Sequence, residues 1–441
     1  MNLAEQIADY RYGISHNFVQ FTHQLIQVFL VGLTLGMTRT VIPALAESEF
    51  GVTKGSFVLL TAFVVAFGFV KGTLNFIAGR LSEHYGRKQV LLWGWLIALP
   101  IPLLIYYAPS WNWIVAATIL LGINQGLTWS MTQTAKLDLT LPEQRGLTIG
   151  LNEFSGYFGV ATAGIITGYL ATAYGPRLGL LLFGLTIITL ASILTILWVQ
   201  DTLPWAQAEG KKQLQRQINS LHPHYPLNIS LHPTTWEIFT LMSWRDLQLA
   251  SISQAGLVEK FVDALIWVFF PLYLHQHGLD LTRIGWIIGV YGFTWGIAQI
   301  FTGHWSDHVG RKIPIVGGMW LCGTGVNLIV LGIGTWWWSF AAALAGFGMA
   351  LLYPTLSAAI SDIAHPNWRG SAIGIYRFWR DLGYGIGALA LGGIATIFDS
   401  IEAGFIFTAL AMFISGTIVL LFCAETHPSL NPSINHYHNA T

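Results

Sequence analysis

A ten-residue segment occurs twice in this chain. Gly79-Arg80-Leu81-Ser82-Glu83-His84-Tyr85-Gly86-Arg87-Lys88 returns, 224 positions later, as Gly303-His304-Trp305-Ser306-Asp307-His308-Val309-Gly310-Arg311-Lys312. The same shift carries Gly68 onto Gly292, Gly72 onto Gly296, Gly122 onto Gly346 and Asp138 onto Asp362. It also carries Pro142 onto Pro366, Arg145 onto Arg369, Gly146 onto Gly370 and Gly150 onto Gly374. One offset held without a gap over about eighty residues marks a duplication, so both halves must build the same supersecondary unit.

Both halves are apolar. Hydrophobic residues make up 54% of the 441 and charged residues only 10%, against roughly 25% charged in a soluble domain. The chain lacks the polar surface to cover a water-soluble globule. Its 19 Trp and 47 Gly suit helices that end at membrane interfaces and touch closely along their flanks. A helix needs about 20 apolar residues to cross a bilayer core. Twelve such runs occur, at 22–45, 56–78, 90–108, 111–135, 147–172, 176–199, 250–275, 283–303, 313–333, 336–360, 371–396 and 402–423. The expected fold is an all-α membrane protein of two pseudo-symmetric six-helix bundles, residues 1–199 and 249–425, joined by a polar linker, 200–248, and followed by a tail, 426–441. Duplicated helical halves are how secondary transporters frame a site near the bilayer midplane.

Lys and Arg set the expected orientation, because cytoplasmic loops carry the excess of both. The even-numbered connections and the linker hold Arg80, Arg87, Lys88, Lys136, Arg145, Lys211, Lys212, Arg216, Arg245, Arg311, Lys312 and Arg369. The odd-numbered connections hold only Lys54, Arg177 and Arg283. Both termini and the linker are therefore expected in the cytoplasm. The first twenty residues contain Glu5, Asp9, Arg11 and His16 and no short apolar run with a cleavage site, so the first span is expected to serve as the insertion signal. Cys322 and Cys423 fall in apolar runs and imply no disulfide framework. Net charge is zero and points to no partner.

The pattern Gly-x-Leu-x-(Asp/Glu)-x-x-Gly-Arg-Lys between spans 2 and 3 resembles the signature loop of the major facilitator superfamily, and here it is doubled. The resemblance covers all twelve spans and implies that family's fold and its alternating-access cycle. It also implies a gating latch. The motif acids, Glu83 and Asp307, would sit at the N-termini of spans 11 and 5, where unpaired N–H groups attract anions. The motif arginines would pair with acids at the ends of spans 4 and 10, Arg87 with Asp138 and Arg311 with Asp362. Gly79 and Gly303 would allow close helix approach, and Gly86 and Gly310 a tight turn, with Lys88 and Lys312 completing the loops. Two features depart from the proton antiporters of the family. The slot three residues before Gln125-Gly126 holds Gly122 in place of Arg, and Gly156, Gly159, Gly164 and Gly168 in span 5 come without proline.

Ionisable residues inside spans are costly, about 2.5–3.5 kcal/mol at mid-bilayer on insertion scales, so each is a candidate for coupling or substrate contact. The repeat carries Arg39 onto Asp263 and Glu153 onto Arg377, opposite signs at equivalent positions. Span 11 adds Arg380 and Asp381. Arg377 and Asp381, four apart, share a helix face, and Lys71 in span 2 lies at a depth from which it can also meet Asp381. Glu153 is the candidate for reversible protonation, since burial raises a carboxyl pKa unless a cation holds it ionised. Glu259 and Lys260 precede Asp263, and Lys260 reads as a residue able to snorkel. Polar and aromatic candidates for the central hollow are Gln27, Thr34, Thr38, Asn124, Gln125, Trp129, Gln133, Trp267, Tyr353 and Ser357. Trp129 and Tyr353 are equivalents under the repeat, two amphipathic rings able to clasp an organic ligand.

Other signals carry less. His304 and His308 have helical metal-site spacing but fall in variable slots of the motif, and no Cys or carboxylate cluster accompanies His222, His224, His232, His275 or His277. Gly383-x-Gly385-x-Gly387 lies inside a span with no strand before it, so it reads as helix packing. Asn228 and Asn439 match glycosylation acceptors on the expected cytoplasmic side. The expectation is a membrane transporter and no enzyme: an ion-gradient-driven carrier of a small organic solute, with protons as coupling ion and efflux as direction. It needs no cofactor, metal or nucleic acid, acts as a monomer, and resides in a bacterial inner membrane. The alternatives are uptake of an anionic metabolite or metal chelate by symport or uniport, and a transporter-like membrane receptor.

Overall fold

The computed structural model describes residues 10–50, 57–219 and 233–431, and among these no strand occurs. The first half contains α1 (Phe18–Phe50), α2 (Phe57–Tyr85), α3 (Arg87–Ala98 with Pro100–Tyr106), α4 (Trp111–Leu139), α5 (Arg145–Tyr174) and α6 (Pro176–Leu197). Two helices follow in the connecting stretch, α7 (Leu203–Asn219) and the short α8 (Thr235–Thr240). The second half contains α9 (Leu247–Ala264, a π turn Leu265–Phe269, then Phe270–Gln276), α10 (Leu281–Val309), α11 (Lys312–Leu331), α12 (Thr335–Ile363), α13 (Arg369–Phe398) and α14 (Ile401–Phe422). Under the repeat, α1 to α6 correspond to α9 to α14.

Ten of the helices are long and apolar enough to cross a bilayer. The other two expected spans are helices as well. One is α2, which carries Lys71. The other is α9, which carries Glu259, Lys260 and Asp263 and is interrupted by its π turn. Pro100 breaks the third span, because its ring cannot sit in a continuous helix without losing a hydrogen bond. Helices α4, α5, α10, α12 and α13 extend beyond their apolar runs at the motif-bearing end. There Asp138, Arg145, Asp307 and Arg369 are buried against neighbouring protein, out of contact with lipid. Arg39 and Trp267 lie on helices, but their side chains fall outside the described residues, as do Lys54, Arg216, the linker histidines, Asn228 and Asn439.

Each half has its own apolar core. In the first, α1 packs on α5 with backbone in contact: Gly32 lies against the Gly156 carbonyl, and Gly159 against that of Phe29. The halves meet along two seams, α2 against α13 and α5 against α10, with α12 also touching α5. On the outer flank of the first seam, Phe239 of α8 packs against Phe76 of one half and against Phe378 and Trp379 of the other, at centroid separations of 5.8 to 5.9 Å.

Candidate functional site

The doubled loop builds the same structure twice at one end of the bundle. Gly86 has φ +89° and Gly310 φ +94°, a left-handed turn that a side chain would strain. The turn swings Arg87 and Arg311 inward. Arg87 Nε donates to Asp138 Oδ2 at 2.9 Å, and Arg311 Nε to Asp362 Oδ2 at 3.0 Å. All four side chains are at most 1% exposed. The acids reach across the seams. Glu83 Oε1 accepts the Ser371 N–H of α13 at 2.7 Å, and Asp307 accepts the Gly146 and Leu147 N–H groups of α5, each at 2.8 Å. These are charge-assisted bonds to free N–H groups of the first helical turn, the strongest use of such a terminus. Gly79 makes the approach possible, since a Cβ there would stand 2.5 Å from the Gly370 carbonyl oxygen. Lys88 is peripheral, donating to the exposed Ile196 carbonyl at 3.0 Å.

Three parts of this end were not visible as partners in the sequence. Asp201 accepts from Arg87 N at 3.2 Å, and Glu425 from Arg311 N and Lys312 N at 2.7 and 3.1 Å. They are themselves related by the repeat: Asp201-Thr202-Leu203-Pro204 matches Glu425-Thr426-His427-Pro428, a signal available to a longer comparison of the halves. Arg145 and Arg369 cross between halves. Arg145 lies 3.0 Å from Asp362, and Arg369 lies 3.8 Å from Asp138. Glu209 of α7 joins both arginines and has no counterpart in the repeat.

Deeper in the bundle, a second set of buried charges lies where the halves meet. Lys71 Nζ stands 3.4 Å from Asp381 Oδ2, which also accepts from Asn75 at 2.5 Å. Arg380 Nε donates to Glu259 Oε1 at 2.7 Å, and its guanidinium lies 3.6 Å over the Tyr353 ring. Lys260 is fully buried and pairs with Asp263 at 2.6 Å, so snorkelling does not describe it. Asp263 also accepts from Tyr291, Tyr353 and Tyr384 at 3.1 to 3.4 Å, all from its own half. Arg377 donates to Gln133 Oε1 at 2.5 Å and lies 4.0 Å from Glu153, while no ion pair joins it to Asp381 within 4 Å. Glu153 Oε1 accepts from Trp129 and Asn152, each at 2.9 Å. Of the four acids it has the most distant cation.

The rings of Trp129 and Tyr353 are brought together through two residues the sequence did not single out. Trp129 meets Tyr157 at 5.5 Å, Tyr157 meets Trp295 at 4.2 Å, and Trp295 meets Tyr353 at 4.9 Å, so the chain of rings crosses from one half to the other. The remaining candidates, Ser357 of α12 apart, bind inside the first half. Gln27 is held by Trp95 and the Ala191 carbonyl, Thr34 by Gln125 and the Val31 carbonyl, and Asn124 by the Gly94 carbonyl. Thr38 donates to the Leu35 carbonyl, and Ser357 is buried on α12. Among the described residues, no group of three His, Cys, Asp or Glu could hold a metal ion; His304 and His308 make a two-residue contact at 3.3 Å.

The two seams differ away from the motif end. Along α2 and α13 contact continues from Gly79 through Gly68, where a Cβ would lie 3.0 Å from the Asp381 carbonyl oxygen. Along α5 and α10 backbone contact runs from Gly146 and Gly303 to Gly150 and Gln299. Beyond it, Gly296, Gly292, Gly289 and Gly285 continue the same stripe of α10, and a Cβ on any of them would meet nothing within 4 Å.

Comparison with known proteins agrees with this architecture. The family model described as Major Facilitator Superfamily matches twice, over residues 25–258 and 252–437. An uncharacterised MFS-type transporter of Salmonella typhimurium is 22% identical over 413 residues, covering 90% of this chain and 95% of its own. Multidrug resistance protein 1 of Bacillus subtilis is 26% identical over 162 residues, 37% of this chain and 41% of its own. Among solved structures, the human organic anion transporter MFSD10 (TETRAN) superposes with a TM-score of 0.74 at 16% identity, covering 91% of this chain and 99% of that one. The proton:xylose symporter XylE does so with 0.73 at 15%, covering 93% and 97%. At these identities the superpositions speak for the fold alone. With the family model matched across both halves, the chain belongs to the Major Facilitator Superfamily.

Proposed function

We propose that this multi-pass membrane transporter carries a small organic solute by alternating access, driven by a proton gradient, with its motif-bearing end in the cytoplasm. A bacterial inner membrane is the setting that its bacterial relatives support. The observation that carries the reading is the contrast between two layers at the interface of the halves. One end is shut by hydrogen bonds and ion pairs that can be remade. Beneath it lies a buried charge network whose acids differ in how firmly they are held. Glu153 is the proton carrier in this scheme. Two neutral donors and a guanidinium 4.0 Å away hold it, whereas Asp263 and Glu259 have cations at 2.6 and 2.7 Å. Trp129, Tyr157, Trp295 and Tyr353 supply the apolar faces for the solute. Efflux is the direction favoured by the likeness to a multidrug resistance protein.

A second reading, uptake of an anionic metabolite, has an observation of its own. Arg377 Nε and Gln133 Nε2 are buried donors with no hydrogen-bond partner among the described residues, and an anion would satisfy both. Transport into proteoliposomes against an imposed pH gradient, with a panel of lipophilic cations and organic anions, separates the two. Wild type should accumulate one class only. Glu153→Gln should retain exchange and lose gradient-driven accumulation. Equal accumulation by Glu153→Gln and wild type would remove the proton role from Glu153.

A further inference from the structure

We propose that α7 is a moving part of the gate. Glu209 docks between the halves as the carboxylate that ties Arg145 of one half to Arg369 of the other, so the linker helix favours closure of the motif end and must let go when that end opens. The inference rests on the alternating-access reading but concerns a residue outside the twofold pattern.

The geometry is specific. Arg369 grips Glu209 with two parallel bonds of 2.9 Å, a bidentate fork from the second half. Arg145 of the first half donates to the same Oε1 at 3.3 Å. One carboxylate therefore holds two guanidiniums that belong to different bodies. Four buried arginines are joined by ion pairs in this seam: Arg87, Arg145, Arg311 and Arg369. The bundles supply Asp138, Asp307 and Asp362 to them, and Glu209 is the fourth acid. Without it Arg369 keeps only Asp138, at 3.8 Å, as an ion-pair partner within 4 Å among the described residues, which is costly in a desolvated layer where water cannot screen it. With that end open, water reaches the arginines and the need disappears. Glu209 thus contributes to one state selectively, which is the condition for shifting an equilibrium.

A separate contact points the same way. Gly210, beside Glu209, is buried against the turn that starts α13, where a Cβ would run into the Asn367 side-chain oxygen. The N-terminal segment braces the other flank: Tyr12 donates to the Trp205 carbonyl at 2.9 Å, and Tyr10 packs edge-on to the Trp205 ring at 4.8 Å. So α7 is seated by shape as well as by charge.

The test is a distance measurement that needs no substrate, so its failure is distinguishable from a failure of the transport reading. Cys322 and Cys423 are replaced by Ser, and spin labels are placed at Tyr85→Cys and Ile313→Cys, exposed positions on opposite halves at the motif end. The full chain in nanodiscs is then measured by pulsed electron resonance. Wild type should show mainly the short distance of the shut form. Glu209→Gln should shift the ratio on the order of tenfold toward a longer distance, Glu209→Asp should shift it less, and Gly210→Leu should match Gln although it keeps every charge. Gln and Leu variants that fold and retain the wild-type distribution would overturn the proposal. So would an Asp variant as open as Gln.

Discussion

Burial alone would raise the pKa of Glu209, but Arg369 and then Arg145 outweigh it and hold the carboxyl below the usual glutamate value. The groups facing it are Arg369 of α13, Arg145 of α5, His365 of the preceding turn and Tyr12 of the N-terminal segment. A depressed carboxyl pKa contributes stability that is complete above the unfolded-state value, roughly 4.3, and is lost as pH falls through the lowered one. The Glu209 contribution to the short spin-label distance should therefore persist down to the ordinary glutamate value and be lost only below it; a lengthening at higher pH that is the same in wild type and Glu209→Gln would mean that Glu83 or Asp307, whose carboxyls burial pushes up, controls closure. Among the intramembrane charges, Asp381→Ala strands Lys71 and should cost about 3–5 kcal/mol, measured by thermal unfolding in nanodiscs. Adding Lys71→Ala should recover much of that loss, and a double variant as unstable as the single would show that the pair is not coupled. Which charged residues lay inside spans was readable from hydropathy, though the full burial of Lys260 was not. Which acid met which base was not. Arg377 and Asp381 share a helix face in the sequence, yet Arg377 reaches α4 and α5 while Asp381 turns to α2.

At the scale of elements, helices and their ends follow from local pattern. Apolar runs set the spans, Pro100 breaks one, and Gly86 and Gly310 end two others because only glycine enters a left-handed turn at low cost. Gly86→Ala should lose about 1–2 kcal/mol from backbone strain, and more because the new Cβ runs into the Asp201 carboxylate. A thermal unfolding midpoint equal to wild type would contradict that. The helix α7 escaped notice inside a stretch read as polar linker. Its buried positions Ala206, Ala208 and Gly210 are small and spaced two apart, so they form no apolar stripe of the usual width.

At the scale of the whole molecule, the contrast between the seams suggests where the halves go next. The unoccupied stripe of Gly285, Gly289 and Gly292 on α10 continues the row that already touches α5, and Ala161, Gly164 and Gly168 continue the matching row on α5. When the motif end opens, these two rows should close. A disulfide between Ala161→Cys and Gly289→Cys, in the background lacking native cysteines, should form slowly in the otherwise unaltered chain and at least several-fold faster with Glu209→Gln. Equal rates in both backgrounds would separate the two ends of the molecule.

The chain's duplication, its helical membrane character and the residues of the doubled loop were determined by the sequence alone, because each is a local or periodic property that survives without knowing how helices pack. The tertiary structure decided the rest: the exchange of Arg145 and Arg369 between halves, the tyrosines around Asp263, and the seat of Glu209. Those contacts join residues more than sixty positions apart, apart from Asp263 with the nearby Tyr291. Their energy depends on separations of a few ångströms in a low-dielectric layer, and helix packing sets those separations.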